Sequence, residues 1–356
     1  MNSSFRYIEP SFFAGLFDDP VLILRLKPIG RRFLVDCGNV AHLAKRLFKS
    51  IDSIFVSHAH MDHFAGIDTV VRHVLVSRKT IDLFGPAGIA EHLHNKMRGY
   101  RWNLVEAFYC RFKIHEISDG RSNTFVLSGP DGFSLEREGS TALRSHLICE
   151  NRFVRTEAVV CDHIIPSLAF AFKERSNFSV DIKKIETEGL VPGRWLGDLK
   201  NRLMGGGKPN SSPLRVPFVA DGGVKEREVQ DELSFYESIK LERKLSSVGY
   251  VTDIGFTAGN LERLRAIMRG VTLLVCECTF LKEQKKKARK SYHLCTDDVN
   301  ELMRTVRPRF LLPIHLSKSN KAKTDQLYRE LQPPPGCSVI RLPGRVSAEP
   351  LMHIRN

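Results

Sequence analysis

Apolar positions in the first part of the chain come in short runs that stop at Gly, Asp or Asn. "PVLILRLKPIG" (20–30), "RRFLVDCGN" (31–39) and "SIDSIFVSH" (50–58) read as strands joined by turns. "HLAKRLFK" (42–49) has the apolar spacing of a helix. "FAGIDTVVRHVLVSR" predicts a helix beginning close to Asp62 and His63, and "IDLFGPAGIAEHLHNKM" predicts strand, Gly-Pro turn and helix. Residues 112–172 are strand-rich and run into "AVVCDHIIPSLAFAFKE". From about Ser176 to Pro217 the texture changes: "GLVPGRWLGDLKNRLMGGGKPNSSPLRV" is basic, weakly periodic and rich in Gly, Pro and Ser. This stretch is expected to be an inserted flexible arm, since long unpatterned segments inside compact domains are often functional. Strands return at "SSVGYVTDIGFT" and "VTLLVCECTF", with the helix "NLERLRAIMRG" between them. The last elements are a helix at "TDDVNELMRTV", a strand at "RFLLPIH" and a strand near "SVIRLPG". Strands alternating with helices on both sides of the arm predict one layered α/β domain over residues 1–356 with the arm at 176–217.

Composition adds limits to this outline. A hydrophobic content of 42% and an aromatic content of 9% are ordinary for a chain that buries a real core. No apolar run approaches the roughly 18 residues of a membrane span. The start, "MNSSFRYIEPSFFAGLFDDP", lacks the basic and apolar regions of a signal peptide. Cys37, Cys110, Cys149, Cys161, Cys276, Cys278, Cys295 and Cys337 are scattered, so they read as reduced thiols in a cytoplasmic protein rather than a disulfide framework. Cys276 and Cys278 would point to opposite faces of a strand, which makes them core residues rather than a metal pair. The net charge of +14 favours a polyanionic partner, with nucleic acid ahead of an anionic membrane surface.

Chemistry concentrates in "SHAHMDHFAGI". Imidazole and carboxylate groups suit Zn²⁺, Mn²⁺ or Fe. His58 and His60, one residue apart, project the same way from an extended segment. Asp62 and His63 follow where the chain turns into the helix, and can aim at an adjacent position. Four such side chains buried without a metal would be expensive. They are too few for the two ions of a dinuclear site, which lie roughly 3.5–4 Å apart. Further ligands are expected at the ends of apolar runs, and the candidates are His163 in "CDHIIPS", Asp253 in "VTDIG" and His315 in "LPIHLS".

These residues carry a resemblance. "SHAHMDHFAGI" is similar to the HxHxDH signature of the metallo-β-lactamase fold, and His163, Asp253 and His315 follow in the order of that fold's remaining ligands. The resemblance covers nearly the whole chain and implies an αββα sandwich with the basic arm inserted. It further implies one ion held by His58, His60 and His163, another held by Asp62, His63 and His315, and Asp253 bridging the two. Within the fold, "HIIPSLAFAFKE", "CECTF" followed by "HLCTDDVNEL", and "GLVPGRWLGDLK" resemble segments of the short form of ribonuclease Z. Glu277 and His293 then correspond to that family's HEAT and HST motifs.

The implied activity is a dinuclear zinc endoribonuclease that removes 3′ trailers from precursor tRNA. Phosphodiester hydrolysis needs charge neutralisation at phosphorus and a proton for the departing 3′-oxygen. His293, oriented by Glu277, suits the second task, and Asp62 would hold metal and orient or deprotonate the attacking water. Arg194, Trp195, Lys200, Arg202 and Lys208 suit an arm that grips RNA backbone and stacks on bases. "LKEQKKKARK", between Glu277 and His293, is expected near the cleft mouth. The family's short forms are homodimers in which the arm of one subunit holds tRNA bound at the other. A phosphodiesterase of the same fold acting on small or cyclic nucleotide esters is the main alternative. A metal-stabilised RNA-binding module without turnover is a third reading, and it would need a broken ligand set.

Overall fold

The computed structural model describes residues 5–176, 178–204, 212–242 and 245–346. The first sheet follows chain order: β1 (Ile8–Phe12), β2 (Leu22–Leu26), β3 (Arg31–Val35), β4 (Ile51–Phe55), β5 (Thr80–Pro86), β6 (Arg111–Ser118), β7 (Arg121–Ser128) and β8 (Ser134–Ala142). Its middle pairings, β3 to β6, are parallel, and its flanks are antiparallel hairpins. The second sheet begins with the antiparallel strands β9 (Leu147–Glu150), β10 (Val154–His163) and β11 (Ile165–Glu174). The chain then passes through residues 175–245, which hold β12 (Leu214–Ala220) and β13 (Gly223–Val229). It returns to the second sheet with β14 (Ser247–Val251), β15 (Leu273–Glu277), β16 (Phe310–Ile314) and β17 (Ser338–Val339), all parallel to one another.

The two-residue period of the apolar runs sorts each strand between two cores. In β2, Leu22, Leu24 and Leu26 join Phe33, Phe55, Phe170, Phe172, Tyr250, Val275 and Ile314 in a core between the sheets. Ile23, Leu34 and Ile54 face the other way, onto the helices Ile67–Val74 and Ile89–Arg98. In the second sheet Ala169, Ala171, Leu274, Cys276 and Leu311 pack on the helices Ala258–Met268 and Thr296–Val306. The result is the expected layering of helix, sheet, sheet and helix. Phe55 anchors the central layer, stacked on Phe84 at 5.0 Å and edge-on to Phe172 at 5.0 Å. Cys276 and Cys278 are both fully buried, and all eight cysteines are unpaired. Among the described residues no helix is long and apolar enough to cross a membrane.

Residues 175–245 form a second compact unit. It contains the helices Ile182–Thr187, Trp195–Met204 and Glu232–Ile239 and the hairpin of β12 and β13. Its own apolar core is Ile185, Leu190, Trp195, Leu199, Leu214, Val216, Tyr236 and Ile239. The expected arm therefore ends too early at residue 217, and it is built around a core rather than lacking one. The periodicity is weak because each element is short and gives the core only one or two side chains.

Candidate metal centre

The site grows from strand ends. β4 runs out just before Ser57 and His58, and His60 caps the four-residue helix Met61–Phe64, which carries Asp62 and His63. His163 is the last residue of β10, Asp253 follows β14, Glu277 ends β15 and His315 follows β16. The parallel register of β14, β15 and β16 brings three of these ends to one edge. Several of these corners use backbone that non-glycine residues rarely adopt: Asp253 has φ +43°, His315 +62°, Ile164 +67° and Asp36 +51°. Two glycines let the loops meet. A Cβ on Gly38 would lie 1.9 Å from the Asp62 carbonyl oxygen, and one on Gly66 would lie 2.6 Å from that of Cys37. That closeness allows Cys37 N–H to donate to the His63 carbonyl at 2.9 Å and Gly66 N–H to that of Cys37 at 2.7 Å.

All seven candidate ligands converge. One atom each from His58, His60, His163 and Asp253 lie within 4.8 Å of one another, as do atoms of Asp62, His63, Asp253 and His315. Asp253 belongs to both groups, with Oδ2 3.6 Å from His58 Nε2, 3.3 Å from His63 Nε2 and 3.8 Å from His163 Nε2. Asp62 Oδ2 lies 3.0 Å from His315 Nε2.

The outward nitrogens explain which way the rings face. His63 Nδ1 bonds Asp36 Oδ2 at 2.8 Å, His163 Nδ1 donates to the Tyr292 carbonyl at 2.7 Å, and His58 Nδ1 meets Ser57 Oγ at 3.0 Å. His315 Nδ1 meets Thr279 Oγ1 at 3.2 Å. In each of the four, Nε2 is left for the centre. The Nε2 atoms of His58 and His63 are buried and have no hydrogen-bond partner. Orphaned buried nitrogens among carboxylates are costly unless a cation completes them, so the donor set fits metal ions.

The electrostatics agree. Burial, reinforced by His63, pushes the His58 pKa down to about 2, keeping it a neutral ligand. Burial alone would raise the Asp253 carboxyl, yet His315, His63 and His293 hold it well below the ordinary carboxylate range. Beside this cluster, His293 Nδ1 lies 3.0 Å from Glu277 Oε2. Burial would lower the His293 pKa, but the Glu277 charge and hydrogen bond, with Asp253 and Asp62, lift it to about 9. Glu277 is fully buried and also accepts from Ile254 N–H (2.8 Å), Leu294 N–H (3.2 Å) and Thr279 Oγ1 (2.6 Å).

Several supporting residues escape the sequence reading. Asp36 accepts from Ser57 N–H at 2.7 Å, Ser57 Oγ at 2.8 Å and Tyr250 Oη at 2.8 Å, besides holding His63. Buried Asn260 ties the His163 and Asp253 loops together: it accepts from Asp162 N–H at 3.0 Å and donates to the carbonyls of Asp162 (3.0 Å) and Gly255 (2.8 Å). An acid at the end of the apolar run in "FLVDCG" was a visible signal for Asp36. Nothing distinguished Tyr250 from core.

The nucleic-acid candidates fare unevenly within their own unit. Arg194 is exposed and Lys200 half-buried, while Lys208 lies outside the described residues. Trp195 is 4% exposed and donates Nε1–H to the Val191 carbonyl at 2.8 Å, so it anchors the unit's core and offers no face for base stacking. Arg202 is committed to Glu232 at 2.6 Å and to the Ser212 carbonyl at 2.8 Å. A cavity of about 600 Å³ opens between Arg194, Asp198, Arg202, Arg215 and Glu226.

Residues 31–143 match the beta-lactamase superfamily domain. Over 295 residues the chain is 26% identical to ribonuclease Z of Deinococcus radiodurans, which covers 81% of this chain and 82% of that protein. It is 26% identical over 206 residues to zinc phosphodiesterase ELAC protein 1 of Bos taurus, covering 51% of this chain and 55% of that one. Among solved structures, the metallo-beta-lactamase fold protein YhfI from Bacillus subtilis superposes with a TM-score of 0.52 at 11% identity, over 94% of this chain and 97% of that one. The chain has the metallo-β-lactamase fold and is similar in sequence to ribonuclease Z proteins along most of its length.

Proposed function

We propose that this protein is a metal-dependent endoribonuclease of ribonuclease Z type, which hydrolyses a phosphodiester to remove the 3′ trailer from precursor tRNA. The observation that carries the reading is an imidazole held protonated by a buried carboxylate, His293 on Glu277, at the edge of a seven-residue ligand cluster. The likeness to ribonuclease Z relatives along most of the chain supports the substrate.

Zinc is the metal we assign, in keeping with the zinc phosphodiesterase relative and the imidazole-rich donor set. His58, His60 and His163 would hold one ion, Asp62, His63 and His315 the other, with Asp253 between. When bound, the ions supply positive charge at the phosphoryl oxygens and acidify water. The chain's own residues do the rest. Asp62 orients the water and accepts its proton as the new oxygen–phosphorus bond forms. His293 gives its proton to the 3′-oxygen as the bond from phosphorus to that oxygen breaks, and Glu277 keeps the ring charged until then. The tRNA leaves with a 3′-hydroxyl and the trailer with a 5′-phosphate. Such an acid serves any unactivated ribose leaving group, in RNA or in a cyclic nucleotide, and the likeness to ribonuclease Z along most of the chain is what favours the RNA reading over the alternative.

Arg194 and Lys200, and to a smaller extent the committed Arg202, are the arm residues assigned to RNA backbone. We further assign a homodimer, supported by the exposed apolar side chains Val76 (71%), Tyr100 (51%) and Leu104 (73%). Sedimentation that gives a monomer at micromolar concentration would remove that assignment. Eight unpaired cysteines favour a reducing compartment, and we assign the cytoplasm. Fractionation that finds the protein outside it would reverse this.

The test is cleavage of a precursor tRNA with both new ends mapped, using zinc-loaded, chelated and reloaded enzyme. A single cut leaving 3′-hydroxyl and 5′-phosphate, abolished by chelation and restored by zinc, is expected. Hydrolysis of bis(p-nitrophenyl) phosphate or a cyclic nucleotide without cleavage of the precursor would instead establish the small-ester reading.

A further inference from the structure

Between Glu277 and His293 the chain makes a short basic helix, Lys285–Ser291, whose position is fixed from three sides. Ala288 is buried against Phe280 and Cys295. Arg289 forms a two-pronged pair with the buried carboxylate of Asp298, at 2.7 and 2.6 Å, and its guanidinium lies 4.9 Å from the Phe256 ring centre. At the helix end Tyr292 turns at φ +53°, and its carbonyl accepts from His163 Nδ1. The helix is thereby locked to one metal-site histidine and leads straight into His293.

The cations on this segment divide into two kinds. Arg289 is used internally, and Lys282 has Asp297 at 3.7 Å. Lys285, Lys286, Lys287 and Lys290 are exposed, and among the described residues none has an acidic partner within ion-pair distance. Lys287 is held with its ammonium 5.1 Å from the Phe280 ring centre, and that ring lies 6.0 Å from the His293 ring. Four uncompensated charges on a rigid support thus stand beside the group that protonates the leaving oxygen. A solvated face of a helix usually interleaves acids with its lysines. This one has none between Glu283 and Asp297.

We propose that Lys285, Lys286, Lys287 and Lys290 form a docking strip for the phosphates of single-stranded RNA next to the scissile bond. The proposal rests on the endoribonuclease reading for its location, and on uncompensated charge for its ligand. Backbone phosphates take point charges from lysine without base preference, so the strip would hold successive phosphates and leave sequence unread.

The experiment measures binding of a fluorescent single-stranded oligoribonucleotide to zinc-loaded protein across a salt series. The triple variant Lys285→Gln/Lys286→Gln/Lys287→Gln is compared with Lys45→Gln/Arg46→Gln/Lys49→Gln, which removes the same charge from the helix Lys45–Lys49 leading into the start of β4, the end remote from His58. The first variant should bind at least about tenfold more weakly, with the slope of log K against log salt smaller by about 2, near 0.7 per lost contact. The control should stay within about twofold of wild type. The Lys→Arg version of the first triple should restore both affinity and slope. Zinc content and melting temperature, measured on every variant, separate a lost contact from a damaged fold. Equal losses in the two Gln triples, an unchanged slope, or a strip that binds anionic vesicles but not RNA would each overturn the proposal. A wild type that cuts no precursor tRNA refutes the function proposed above, whereas the strip stands or falls on oligonucleotide affinity alone.

Discussion

Glu277→Gln removes one charge and almost no volume from a side chain with no solvent exposure. In the wild type the His293 pKa stands at about 9 against an ordinary 6.5. That difference corresponds to roughly 3 kcal/mol in favour of the charged ring. Burial pulls the other way, and without the Glu277 charge only Asp253 and Asp62 oppose it. His293 should then titrate about two units or more lower, near or below its ordinary value. The sign follows from the role: the donor must be protonated, so RNA cleavage is present below the His293 pKa and lost as pH rises through it. The descending limb of kcat/KM should therefore lie at lower pH in Glu277→Gln than in the wild type, because the Glu277 charge and hydrogen bond are what raise the His293 pKa. At pH 8 a drop of about two units removes roughly nine-tenths of the protonated donor, so the variant should lose about tenfold or more. Hydrolysis of bis(p-nitrophenyl) phosphate, whose leaving group departs unprotonated, should lose far less. The amide that Glu277→Gln introduces cannot accept from Ile254, Leu294 and Thr279 together, so a stability loss of about 1–3 kcal/mol is expected and is read separately from the melt. A limb that does not move between wild type and variant, or equal losses on the two substrates, would refute the acid role of His293.

Two further outcomes follow from packing. Trp195→Ala should cost about 3–5 kcal/mol in the small core of residues 175–245, opening that unit to protease while the sheets resist; unchanged resistance across 175–245 would contradict the core assignment. Tyr250→Phe deletes a bond to the buried Asp36 carboxylate and should cost about 1.5–3 kcal/mol, with turnover altered by no more than about threefold because Ser57 still holds Asp36 toward His63. A melting temperature equal to wild type would show that the hydroxyl bond carries nothing.

Much of the site was readable because its chemistry is local or sits at strand ends. Four candidate ligands lie within six positions, and the candidates His163, Asp253 and His315 each close an apolar run that becomes a buried strand. Strands alternating with helices on both sides of the arm also predicted the layers, and in "LILRL" or "LAFAF" alternate residues enter different cores, one on each face. Tyr250 was unreadable because its ring is core and only its hydroxyl reaches Asp36, a partner 214 residues away. The second unit was misread for the opposite reason. Its Gly, Pro and Ser content describes the connections, while its core comes from isolated residues such as Trp195 and Leu214 on separate short elements. A tryptophan among arginines looked like a stacking platform, and burial decided otherwise.

The corners at Asp253 and His315, which carry candidate ligands, have one more consequence. Each holds a side chain at a positive φ where glycine would sit with less strain, a difference of about 1–2 kcal/mol at His315. Exchanging His315 for glycine would relax the main chain and, in the same stroke, remove a candidate ligand. A laboratory lineage selected only to survive heating would drift toward such exchanges and become hardier as it went silent. Durability screens on this protein therefore need turnover scored at every round.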